Sequence, residues 1–240
     1  MAIKAIIFGA IGTLTETSEM QRQAFNAAFA EHDLDWNWDA ARYTAMVAGE
    51  AASVGGATRI ARYATDRDAI LSETQVAAIH DSKSRLFQTA MDRDGVPLND
   101  GVDALLDAAR ARGLRTAFAS TTSRSNIDAM LLAARPSLAG RFDLVLSGED
   151  VAEPKPAPDV YLAALERLGL DASEVIAIED SEPSLRAPLA AGIATFAVPG
   201  ALWREAAFDG ASAVYPSLNG IGIDALAAAI GREVVGPAHA

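Results

Sequence analysis

The chain is predicted to fold as an α/β protein, a Rossmann-like, mostly parallel sheet core with an all-helical cap inserted near its amino end. Two observations carry this prediction. Short apolar runs alternate with longer helical patterns along most of the 240 residues, which is the signature of βαβ units. From Glu19 to about Met91, by contrast, only helical pattern appears, and a long stretch of one element type marks a separate unit. The predicted division is 1–15 with 94–240 for the core and 16–93 for the cap. The competing arrangement is a single domain with peripheral helices.

Each element has its own justification. The first strand, Ala5 to Phe8, is a continuous apolar run of the kind a doubly covered parallel strand requires. The cap segments read EMQRQAFNAAFAEHDL, WDAARYTAMVAG, TRIARYA and SETQVAAIHDSKSRLFQTAMD, all at helical spacing. Gly101 to Arg112 is a helix closed by Gly113, and Pro158 to Leu168 is a helix closed by Gly169, since glycine readily takes the left-handed turn that ends a helix. The remaining strands are Thr116 to Ser120, Leu144 to Leu146, Val175 to Ile178, Thr195 to Val198 and Ala213 to Tyr215. The tail from Arg232 to Ala240 is rich in Gly, Pro and Ala and is expected to fray.

Composition narrows the partners. Half of the residues are hydrophobic, yet no uninterrupted apolar stretch nears the roughly 18 residues that cross a bilayer. No basic segment followed by an apolar one opens the chain, so a soluble, cytoplasmic protein is expected. The absence of cysteine excludes disulfides, thiolate metal sites and a cysteine nucleophile. A net charge of −12 disfavours nucleic acid and anionic membrane as partners, and a small anionic ligand would need a locally positive pocket.

Four short motifs carry chemistry. The first strand runs into Gly9, Ala10, Ile11, Gly12, Thr13 and Leu14, which puts backbone N–H groups at the carboxyl edge of the sheet, either as an anion cradle or as a plain tight turn. Ser120, Thr121, Thr122 and Ser123 follow the strand TAFAS, and their hydroxyls either bind an anion or cap the next helix. Lys155 lies in EPKPAPDVY, where prolines restrain the backbone around it. Glu179 and Asp180 end the strand VIAIED, where adjacent carboxylates suit a hard cation; capping the following helix is the alternative, and Ser181 also competes for that role.

In order and spacing these motifs resemble those of the haloacid dehalogenase superfamily over nearly the whole chain. The cap segments FNAAFAEHDLDWNWD, GGATRIARYA and the His80, Lys83 pair are similar to the β-phosphoglucomutase and CbbY-like sugar-phosphate phosphatase group. The resemblance implies an aspartate nucleophile and an aspartate acid/base two residues later, at positions held here by Gly9 and Ile11. It implies phosphate binding by Ser120, Thr121, Lys155 and the N–H groups of Ala10 and Ile11, and a magnesium ion on Asp180 and Glu179, with its hold weakened by the missing aspartates. Substrate selection falls to Glu16 and Arg59. Ala57 stands where that group commonly carries lysine, and Ser184 where glycine is usual.

The physical consequence is specific. Neither a hydrogen nor an isoleucine side chain supplies an oxygen nucleophile, so an aspartyl-phosphate cannot form at position 9. Losing a nucleophile costs on the order of 10⁶ in rate in a studied hydrolase. Whether the chain is an enzyme therefore stays open at this level. The first expectation is a non-catalytic or regulatory binder of phosphate or a phosphosugar, with Lys155 left with fewer anionic neighbours. The alternative is a phosphatase of small phosphorylated metabolites working by a non-covalent or altered mechanism. A protein partner is not specified by the sequence.

Overall fold

The computed structural model describes residues 2–9, 11–48, 55–134 and 138–236. The elements in chain order begin with β1 (Ala2–Ile3), β2 (Ala5–Phe8), α1 (Ile11–Leu14), α2 (Ser18–Glu31), α3 (Ala40–Ala48), α4 (Gly56–Thr65) and α5 (Glu73–Asp94). There follow α6 (Val102–Ala111), β3 (Arg115–Ala119), α7 (Arg124–Ala134), β4 (Leu144–Leu146), α8 (Asp159–Leu168) and β5 (Val175–Glu179). The chain continues through α9 (Glu182–Ala190), β6 (Ala194–Ala197), β7 (Ala213–Val214), α10 (Ile223–Ala229) and β8 (Glu233–Val234). Two compact units result, Met1–Glu16 with Val96–Ala240, and Thr17–Gly95.

The first unit is built on a parallel six-stranded sheet of order β4-β3-β2-β5-β6-β7. All four residues of β2 are fully buried, which explains why its run is apolar without alternation. In register, Phe8 pairs with Phe118 on one side and Ile178 on the other, so Gly9, Ser120 and Glu179 emerge together at the carboxyl edge. Helix α8 lays Val160, Tyr161, Ala164, Leu165 and Leu168 against Ile7, Ala119 and Ala177 of the sheet. These five positions lie on one helical face, and their burial anchors the helix that follows Lys155. Gly101 opens α6 at φ 85°, and a Cβ there would run into the backbone of Leu218, so glycine is required.

The tail departs from expectation. Glu233 and Val234 pair in parallel with Ala2 and Ile3, and the Val235 N–H donates to the Ile3 carbonyl at 3.2 Å. Two buried or half-buried apolar residues and a few backbone bonds tie down what composition alone suggested would fray. Residues 237–240 lie outside the described residues.

The regular elements described in the second unit are all helices. Ser72 and Gln75 form a reciprocal cap at the start of α5, satisfying backbone N–H groups that the first turn leaves open. Phe25, Phe29, Trp36, Trp38, Tyr43 and Tyr63 make a cluster of ring contacts, with Phe25 and Trp38 centroids 4.6 Å apart. Lys83 is buried beside it, its Nζ donating to Gln21 at 3.1 Å and lying 4.9 and 4.8 Å from the Phe25 and Phe87 rings. Burial pushes the Lys83 ammonium down to about 8, and neighbouring Arg59 adds to the effect.

Candidate functional site

The site at the carboxyl edge is organised by Glu179 rather than by residue 9. Lys155 donates from Nζ to the Ala119 carbonyl at 3.0 Å and to Glu179 Oε1 at 2.7 Å, and Tyr161 donates its hydroxyl to the same Oε1 at 2.5 Å. Glu179 is fully buried and Lys155 nearly so. A buried ammonium needs a carboxylate partner, and a buried carboxylate needs donors, so the three groups satisfy one another. Burial, followed by the Glu179 charge, holds the Tyr161 hydroxyl well above its ordinary range, so it stays a donor.

Gly9 makes this arrangement sterically feasible. A Cβ built at position 9 would overlap all three atoms of the Glu179 carboxyl group. Gly12 plays the same part for its neighbour, since a Cβ there would strike Asp180 Oδ2. Two glycines of the first motif thus give space to the two acids of the fourth.

Asp180 is buried as well, and its Oδ1 has no hydrogen-bond partner. Desolvation first, and then the Glu179 charge, push its carboxyl up to about 7, with Lys155 opposing. Beside it opens a cleft of about 390 Å³ lined by residues that include Thr13, Glu16, Asn99, Gly200 and Arg204. A Cβ on Gly200 would stand 3.5 Å from Asp180 Oδ2 and 3.7 Å from Glu16 Oε2, so both carboxylates reach this wall. Glu16 accepts the Ala201 N–H at 2.9 Å.

The expected site residues distribute as follows. Ser120, Lys155, Glu179 and Asp180 share the sheet edge, while Ala10 lies outside the described residues. Ser120 Oγ accepts the Thr122 N–H at 3.3 Å, and Ser123 takes the capping role, accepting the Asn126 N–H of α7 at 3.4 Å. Thr121 and Ile11 are half-buried. Lys155, expected to have fewer anionic neighbours, has one in Glu179, whose carboxylate the glycine at position 9 admits. Glu16 belongs to the first unit and Arg59 to the second, where burial lowers the Arg59 guanidinium from its usual range. Sequence reasoning missed Tyr161, although an aromatic hydroxyl six residues after Lys155 on a sheet-packed helix was a readable signal.

A resident magnesium ion would draw its side-chain oxygens from Asp180 and Glu179. Asp180 Oδ1 is one orphaned oxygen, but Glu179 is taken up by Lys155 and Tyr161, and no group of three metal-ligating side chains is assembled among the described residues. Magnesium is commonly held by one or two carboxylates, with water and phosphate oxygens completing its octahedral shell, and Asp180 Oδ1 would supply one such carboxylate oxygen.

Residues 3–192 match the haloacid dehalogenase-like hydrolase family. The chain is 37% identical over 227 residues to the protein CbbY of Rhodobacter capsulatus, covering 94% of this chain and 98% of that one. It is 41% identical over 224 residues to the plasmid-borne CbbY of Cupriavidus necator, covering 90% and 86%. Crystal structures of CbbY from Rhodobacter sphaeroides, one with xylulose-(1,5)bisphosphate and one with phosphate, superpose at a TM-score of 0.85 with 35% identity, covering 93% of this chain and 99% of that one. A β-phosphoglucomutase from Clostridium difficile shares the fold at a TM-score of 0.76 and 18% identity. With the sheet order, the four motif positions and these matches together, the chain belongs to the haloacid dehalogenase-like hydrolases.

Proposed function

We propose that the protein is a phosphatase of small phosphorylated sugars that works without an aspartyl-phosphate. The observation that carries this reading is the Lys155–Glu179–Tyr161 cluster beside Gly9, a carboxylate and a buried cation held together where residue 9 has no side chain. Support for the substrate class comes from the CbbY relatives, one of which was crystallised with a sugar bisphosphate and with phosphate. Lys155, with the N–H groups that follow Gly9, supplies positive potential for the phosphate oxygens, and the cleft beside Asp180 and Glu16 accommodates the sugar hydroxyls. No step is assigned to a metal.

A second reading, binding without turnover, is favoured by one specific observation, the loss of both first-motif carboxylates at Gly9 and Ile11. The two readings are separated by phosphate release from a panel of sugar monophosphates and bisphosphates and an aryl phosphate, with and without magnesium. Turnover by the wild type, lost in Lys155→Ala, supports a phosphatase. Silence on every substrate, with saturable binding of a phosphosugar, supports the binder.

A further inference from the structure

We propose that Tyr161 is a positioning residue for phosphate binding, fixing the place of the Lys155 ammonium so that its remaining N–H meets a phosphate oxygen. This rests on the phosphate-binding part of the phosphatase reading and does not require turnover. Three observations carry it. An ammonium has three N–H donors. Lys155 uses one on the Ala119 carbonyl at 3.0 Å and one on Glu179 Oε1 at 2.7 Å, and it makes no other hydrogen bond among the described residues, so one donor remains. Tyr161 bears on this ammonium in two ways. Its ring centroid lies 5.0 Å from Nζ, within cation–π range, and its hydroxyl donates at 2.5 Å to the same Oε1 that Lys155 uses.

The third observation is that packing alone gives the hydroxyl no purpose. Tyr161 is fully buried in the cluster that seats α8 on Ile7, Ala119 and Ala177. A phenylalanine would fill that space without a hydroxyl to satisfy, and a buried hydroxyl is unfavourable unless it is hydrogen-bonded. Its bond goes to the group that holds Lys155. A residue anchored on a sheet-packed helix thereby restrains a lysine that comes from the loop before that helix. Removing the hydroxyl takes one donor from Oε1 and loosens the ammonium that shares it, while the ring contact persists.

The test is a double-mutant cycle on inorganic phosphate binding to the full-length protein, followed by ³¹P NMR titration, which follows weak binding. The four proteins are the wild type, Tyr161→Phe, Lys155→Met and the double variant. Tyr161→Phe keeps the ring and loses only the hydroxyl, so circular dichroism should show it folded; if Lys155→Met does not fold, Lys155→Gln, which keeps a donor for the Ala119 carbonyl, takes its place. The expected result is phosphate affinity about tenfold weaker in Tyr161→Phe, with no further loss when the same change is added to the Lys155 variant. A purely structural hydroxyl would change stability without this dependence on Lys155. Unchanged affinity in Tyr161→Phe, or an equal loss in both backgrounds, would overturn the positioning role and leave the phosphatase reading standing. Unchanged affinity in the Lys155 variant, or no phosphate binding by the wild type, would overturn both this role and the phosphate site at Lys155.

Discussion

Restoring an aspartate at position 9 should harm this protein unless Glu179 is removed at the same time. The Gly9 backbone offers no obstacle, since its φ lies outside the left-handed region and its N–H donates to Ile178 at 2.9 Å. The obstacle is the Glu179 carboxyl group, which a Cβ at position 9 would approach closer than the 3.0 Å that real Cβ atoms essentially never cross. If Glu179 shifts enough to relieve the clash, two carboxylates then share one ammonium, and like charges about 4 Å apart at an effective dielectric of 20 repel by about 4 kcal/mol. Glu179→Ala fails for the opposite reason, because removing one partner of a buried pair leaves Lys155 uncompensated at a cost of about 3 to 5 kcal/mol. In Gly9→Asp, Glu179→Ala the new aspartate can take over Lys155, so the double variant should be more stable than either single one. Urea unfolding of the four proteins, followed by circular dichroism, gives the coupling energy. Additive losses, or a Gly9→Asp protein as stable as the wild type, would refute the reasoning.

Other consequences follow from burial. Because the folded protein holds the Asp180 carboxyl near 7 against an ordinary 3.8, the native state binds more protons across that window, and stability should fall as pH rises from about 4 to 7, by up to roughly 4 kcal/mol. Asp180→Asn should flatten that slope in urea titrations across the same range. Lys83 works in the opposite sense: the unfolded chain binds its proton more tightly between pH 8 and 10.5, so stability should rise through that interval by about 3 kcal/mol, and the rise should vanish in Lys83→Met. Gly101→Ala, strained at φ 85° and directed into the Leu218 backbone, should cost about 2 kcal/mol or more in thermal or urea unfolding.

The sheet was legible because parallel strands buried on both faces leave unbroken apolar runs, as in Ala5–Phe8 and Val175–Ile178. Two-residue strands such as Glu233–Val234 leave no periodic signal, which is why the pairing with Ala2–Ile3 escaped notice. At the site, motif spacing brought Ser120, Lys155, Glu179 and Asp180 to one edge. It did not reveal the pairing, because position along the chain does not say where a carboxylate points. The clue lay in the rule that a buried lysine needs an anion: with Gly9 unable to supply it, the neighbouring strand had to.

The most direct measurement compares steady-state phosphate release by the wild type and Lys155→Ala on the same sugar phosphate. If the Lys155–Glu179–Tyr161 cluster is the working site of a phosphatase, the wild type turns over and the variant loses about 10³-fold or more in kcat. Equal kcat values for the two proteins would contradict the account.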